Sequence, residues 1–111
     1  MNENKQDISP VEIDLGAHRR QELHEDYLAQ FGAAVGLLMR AITQGYSIPV
    51  SVRGTQREID SFTSVLGSER RYMNAFNKYG LNNDATYASK YKLDKAVKDF
   101  EMSTGLKWPF K

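Results

Sequence analysis

Cysteine is absent from the 111-residue chain. That removes a disulfide framework, a thiol nucleophile and a zinc–thiolate site together. Small secreted domains commonly lean on disulfides, so an intracellular or particle-bound setting is expected, the cytoplasm foremost. Long apolar runs are missing too. The most apolar window, Tyr27 to Ile42, spans 16 residues and includes Gln30 and Arg40. A membrane helix needs roughly 20 apolar residues, so this reads as a core helix and no membrane partner is expected. The opening MNENKQDISP has no apolar core and no cleavage signature, so no signal peptide is expected. Net charge is +1, which excludes a strong overall field toward nucleic acid or membrane. Low-complexity tracts, repeats and domain-dividing linkers are lacking, which predicts one domain over 1–111 with a flexible tail at 1–8.

What is present reads as short elements separated by glycine. Val11, Ile13 and Leu15 alternate with Glu12 and Asp14, the period of a half-buried strand. Ser9-Pro10-Val11-Glu12 equally suits a capping box and a brief helical turn, so two readings stand for 11–15. From Ala17 to Gln44 the period lengthens. Leu23, Tyr27, Phe31, Ala34, Leu38 and Ala41/Ile42 share one helical face, widened by Leu28, Val35 and Leu37. Gly45-Tyr46 supplies a glycine stop with an apolar residue to pack back. Gly32 and Gly36 inside this helix imply a close approach, within the molecule or from another copy.

Ile48, Val50 and Val52 alternate with Pro49, Ser51 and Arg53, a short strand whose proline suits an edge. Thr55-Gln56-Arg57-Glu58 is a capping box. It opens a helix with Ile59, Phe62, Val65/Leu66, Met73 and Phe76 inward, stopped at Tyr79-Gly80-Leu81; continuity through Gly67-Ser68 is open. A third helix follows Asn82-Asn83-Asp84, with Tyr87, Tyr91, Ala96/Val97 and Phe100 inward and a like stop at Thr104-Gly105-Leu106. The tail 107–111 is short and aromatic, as a docked segment would be. The expected fold is mainly α: three helices with one short strand or strand pair, or else a small α+β domain. Two strands separated by a helix would be parallel, with a right-handed crossover, and a partner subunit would complete so small a sheet.

Chemistry has little to work with. His18 and His24 are the only histidines, six apart and so on different helical faces. No nucleophile elbow, catalytic triad, phosphate loop or dinucleotide motif is readable, so no catalytic residue and no cofactor is expected. Glu22, Glu25 and Asp26 are the best metal candidates, because His18, Glu22 and Asp26 at intervals of four would share one helix face. Two ligands on one face make half a site, and a solvated helix start explains the same residues, so no metal is expected.

Charge is segregated. Residues 1–46 carry four basic and seven acidic side chains, and residues 47–111 carry eleven and seven. Residues 72–110 also hold eight of the twelve aromatics. Cations beside rings suit nucleic acid, and equally a helical core with a charged exterior. Aligned on Gly67 as a turn, residues 59–76 fit a helix-turn-helix, with Phe62, Leu66 and Met73 at core positions and Thr63 at the small one. Arg70, Arg71 and Asn74 would then face outward to read bases.

Met73 through Phe100 resembles the helical hairpin of the small aspartyl-phosphate phosphatases that regulate sporulation, through Met73, Gly80-Leu81, Ser89 and Leu93-Asp94. The serine-to-leucine spacing is one residue longer than in that family, and barely a quarter of the chain is covered, so no catalytic role carries over. In its short, cysteine-free, helical, motif-poor character the chain is similar to accessory proteins of bacteriophages. The expected function is that of a non-enzymatic helical adaptor or structural subunit acting through protein contacts, self-association included. The strand Ile48, Val50, Val52 and the anchors Trp108 and Phe110 would meet the partner. The alternative is a nucleic-acid-binding protein using Arg53, Arg57, Arg70, Arg71, Asn74, Lys90, Lys95 and Lys98.

Overall fold

The computed structural model describes residues 10–22 and 24–110. The tail expected at 1–8, and Leu23 on the first helix's inward stripe, lie outside the described residues. The elements are β1 (Val11–Asp14), α1 (Glu25–Gln44), β2 (Val50–Arg53), α2 (Gln56–Tyr79) and α3 (Asp84–Thr104). The fold is mainly α: three helices and a two-stranded parallel sheet pairing Val11 with Val50 and Asp14 with Arg53. Residues 11–14 are therefore strand, Leu15 begins the turns that follow, and a helical turn over 11–14 is excluded.

The first helix starts later than its spacing suggests. Residues 15–21 form turns instead, with Gln21 at φ 59° and backbone bonds from Arg20 to Gly16 and from Glu22 to Ala17. Long-range partners fix this segment. The Arg19 guanidinium donates to Glu58 at 3.1 and 3.3 Å, while Arg20 bonds Asp14 and Glu22. His18 lies against the backbone of Gly105, where a β-carbon would come within 2.4 Å of its ring. The turns thus bridge the start of α2 and the end of α3.

The core is an aromatic cluster fed by three helices and the tail. Phe31 stacks on Phe100 at 6.0 Å, Phe62 tilts against both, and Trp108 meets Phe100 edge-on at 5.5 Å. Val35, Val65, Leu15 and Leu106 are fully buried around them. Such rings contribute area burial plus about 0.5–1.5 kcal/mol per well-placed pair.

Helix ends follow local rules in part. Thr55 and Glu58 cap α2 reciprocally, as the sequence implies. Gly45 and Gly105 adopt the left-handed conformation, but Gly80 has ψ −178° and ends α2 differently. Of the three apolar residues expected to pack back, only Leu106 is buried; Tyr46 and Leu81 are exposed.

Burial along the α2–α3 hairpin is lopsided. On α2 no residue beyond Glu69 is buried, and on α3 only Thr86 is buried before Leu93. The inward stripe of α3 is Thr86, Leu93, Ala96/Val97, Phe100 and Thr104, which corrects the expectation for Tyr87 and Tyr91. Phe76 is exposed likewise. Residues 72–91 therefore form an arm closed mainly by its own two helices. Thr86 is its internal rivet, its hydroxyl donating to Gly80 at 2.7 Å.

Candidate interaction surface

The arm carries five of the eleven large apolar side chains that the fold leaves exposed among the described residues. Phe76 (44%), Tyr79 (48%), Leu81 (58%), Tyr87 (56%) and Tyr91 (69%) are all exposed. Tyr72 and Phe76 meet edge-on at 6.3 Å and, with Met73 and Asn77, line a groove of about 300 Å3. Within residues 72–91 the charged side chains are Lys78, Asp84 and Lys90, and Arg70, Arg71 and Lys92 flank them in sequence, so basic groups border the exposed rings. Lys78 lies 5.2 Å from the Tyr79 ring centre and Lys90 lies 5.7 Å from that of Tyr72. Large exposed apolar surface marks an interaction site more often than chance exposure.

The acidic counterpart is at the other end of the sequence. Residues 12–26 hold five acidic and two basic side chains. Asp14 is engaged: burial pushes its carboxyl up, but hydrogen bonds from Arg20 and the Gly16 amide outweigh that and leave it below its usual value. Glu12, Glu25 and Asp26 are exposed. Glu22 is paired with Arg20 in the turns before α1, so His18 and Glu22 share no helix face, and the metal-ligand spacing read from the sequence does not exist. Among the described residues no group of three or more potential ligands could hold a metal ion.

The strand and tail residues fare differently. In the parallel ladder Val11 donates to Pro49 at 2.9 Å and Leu15 to Arg53 at 2.8 Å. Alternate residues of a strand serve alternate sides, so Val50 and Val52 turn their backbone groups away from β1. Among the described residues the free flank of β2 is an open edge, whereas on β1 the Asp14 carbonyl accepts the Tyr27 hydroxyl. Of the side chains, Ile48 and Val52 pack on the core and Val50 is 38% exposed. Trp108 is not a partner anchor. It is 2% exposed, and its indole N–H donates to Glu69 Oε1 at 2.9 Å. Phe110, 44% exposed, stands edge-on to it.

The residues assigned to nucleic acid do not converge. α2 runs unbroken through Gly67, so the turn that a helix-turn-helix needs is absent. Arg57 and Arg71 are separated by about 20 Å along α2 at 1.5 Å per residue. Arg53 is on β2 near Asp14, while Arg70, Arg71 and Asn74 lie mid-helix and exposed. On α3 Lys90 pairs with Asp94 at 2.8 Å, Lys90 and Lys98 line a cleft of about 340 Å3 against Phe110, and Lys95 is exposed elsewhere. A β-carbon added at Gly32 would meet Pro109 at 3.8 Å, an ordinary contact, and one added at Gly36 would meet nothing within 4 Å, so among the described residues neither glycine is required by a close approach within the molecule.

Glu69 escaped the sequence reading. It is seven residues after Phe62 and four after Val65, in phase with the buried stripe, and that phase is the signal that could have found it. Among the described residues no helix is long and apolar enough to cross a membrane. Compared with protein-family profiles, curated proteins and solved structures, the chain matches none.

Proposed function

We propose that the protein is a non-enzymatic helical adaptor or structural subunit that acts through protein contacts, with the 72–91 arm as its principal contact surface. The carrying observation is the concentration of exposed Phe76, Tyr79, Leu81, Tyr87 and Tyr91 within one stretch of the α2–α3 hairpin. Its basic rim suits an acidic partner surface, and the first such surface to consider is the acidic 12–26 region of a second copy. The open edge of β2 offers a secondary contact by strand addition.

Affinity capture with nuclease treatment tests this, using wild type and a Leu81→Ser/Tyr91→Ser variant as baits. Both positions are exposed, so the variant keeps its fold. A protein retained by wild type through nuclease and lost from the variant is the expected result. Identical captures from both baits contradict it. Nucleic-acid binding is the second reading, supported by the two ammonium–ring pairs on the arm. It calls for single strands stacking on exposed rings, with affinity falling about one log unit per log salt for each phosphate neutralised.

A further inference from the structure

We propose that the cleft beside Phe110 binds an alkylammonium group, the chemistry of a lysine side chain or of a small free amine. The cleft, of about 180 Å3, is lined by Met39 of α1, Glu69 and Met73 of α2, and Phe110 of the tail. Its walls are apolar and adaptable, since methionine side chains reshape around a guest. Its one charged group is Glu69, which is 6% exposed. One carboxylate oxygen accepts the Trp108 indole N–H at 2.9 Å. The other has no partner among the described residues. A buried carboxylate short of hydrogen bonds is costly, and a cation brought to it recovers that cost.

The protein's nearby cation does not fill the role. Lys90 is committed to Asp94 at 2.8 Å and lies over the Tyr72 ring. Size fits the chemistry: an apolar cavity of about 150 Å3 accepts a benzene, so this cleft takes a four-carbon chain and its ammonium. The half-exposed Phe110 ring adds a face for the cation. A neutral alkyl group would satisfy the walls and leave the carboxylate oxygen bare, and a hydrated inorganic cation would do the reverse.

Trp108 is the sole tryptophan and is bonded to Glu69, so its fluorescence reports directly on the site. The probes are n-butylamine, the capped peptide Gly-Lys-Gly, and n-butanol as the neutral control, each titrated at neutral pH. Both amines are expected to give saturable changes in the millimolar range, as suits a contact that buries only a short alkyl chain and its ammonium. Glu69→Gln, which keeps an oxygen to accept the indole N–H, weakens them at least tenfold. Tighter binding of the peptide assigns the site to a lysine side chain, and binding of n-butylamine alone assigns it to a free amine. Failure of both amines to saturate, equal affinity in Glu69→Gln, or equal binding of n-butanol overturns the proposal. Should Glu69→Gln fail to fold by circular dichroism, Phe110→Ala at the exposed wall serves instead, with a several-fold loss of amine binding expected and no change contradicting.

Discussion

Replacing Trp108 with alanine removes a side chain that is 2% exposed and touches Phe62, Phe100 and Phe110 by ring edges. Large-to-small changes of buried tryptophan cost about 3–5 kcal/mol. The same change strips Glu69 of its indole donor, and a buried acceptor left without a partner adds about 1–3 kcal/mol. The expected loss is about 5 kcal/mol, against a total stability of about 5–15 kcal/mol for an ordinary domain. The two contributions separate chemically. Trp108→Phe keeps most of the ring contact and loses the N–H, so it carries chiefly the hydrogen-bond part. Glu69→Met removes the acceptor at similar volume, and Trp108→Phe/Glu69→Met then leaves nothing unpaired. Urea unfolding of wild type, both single variants and the double variant yields a coupling energy above about 1 kcal/mol if the Trp108–Glu69 bond is formed in the fold. A Trp108→Ala protein within about 1 kcal/mol of wild type, the scale of an ordinary surface change, would refute the placing of the tail in the core.

Other positions give independent checks. Gly105→Ala, with φ 76° and His18 ring atoms 2.4 Å from the new β-carbon, should cost more than Gly45→Ala, where φ is 78° and the space is open; thermal melts should separate them by about 1 kcal/mol or more. Gly36→Ala, in α1 with nothing within 4 Å, should stabilise by about 0.5–1 kcal/mol, as thermal melts will show. The Arg19 guanidinium, hydrogen-bonded to Glu58, holds that carboxyl below its ordinary value, and Asp14 is depressed as well. A depressed carboxyl stabilises fully above its unfolded pKa of about 4 and stops doing so as pH falls through its folded value. Stability should therefore be level from neutral pH down to about 5 and fall below about 4, and Glu58→Gln, which can still cap α2, should fall less steeply.

Much of this fold is legible in single residues. Val11, Ile13, Val50 and Val52 declare two strands by alternation, and a helix between them makes the pair parallel. The Thr55–Glu58 capping box marks the first turn of α2 to the residue. Illegible were features settled by distant partners. Ala17 to Glu22 carries helical spacing, yet Arg19 and Arg20 draw it into turns through Glu58 and Asp14, and no local pattern reports such pairs. Spacing identifies a stripe on a helix but not whether anything lies against it. Phe76, Tyr87 and Tyr91 look like core in the sequence and stand in solvent, since the core that α1 and the sheet complete ends near Tyr72 and Met73 on α2 and Leu93 on α3. Thr86, beside Tyr87, takes the inward place because its hydroxyl satisfies the Gly80 carbonyl at the hairpin turn. The contact surface was therefore hidden among residues assigned to the interior. Of the surfaces named from sequence, the strand keeps its open edge, Phe110 stays half exposed, and Trp108 belongs to the core.

The arm's role in protein contact is tested most directly by sedimentation equilibrium over a range of protein concentrations, comparing wild type with Leu81→Ser/Tyr91→Ser. The account predicts that the average mass of wild type rises with concentration, falls back as salt screens the basic arm from its acidic counterpart, and stays at the monomer value in the variant. Wild type and variant sedimenting alike would contradict it.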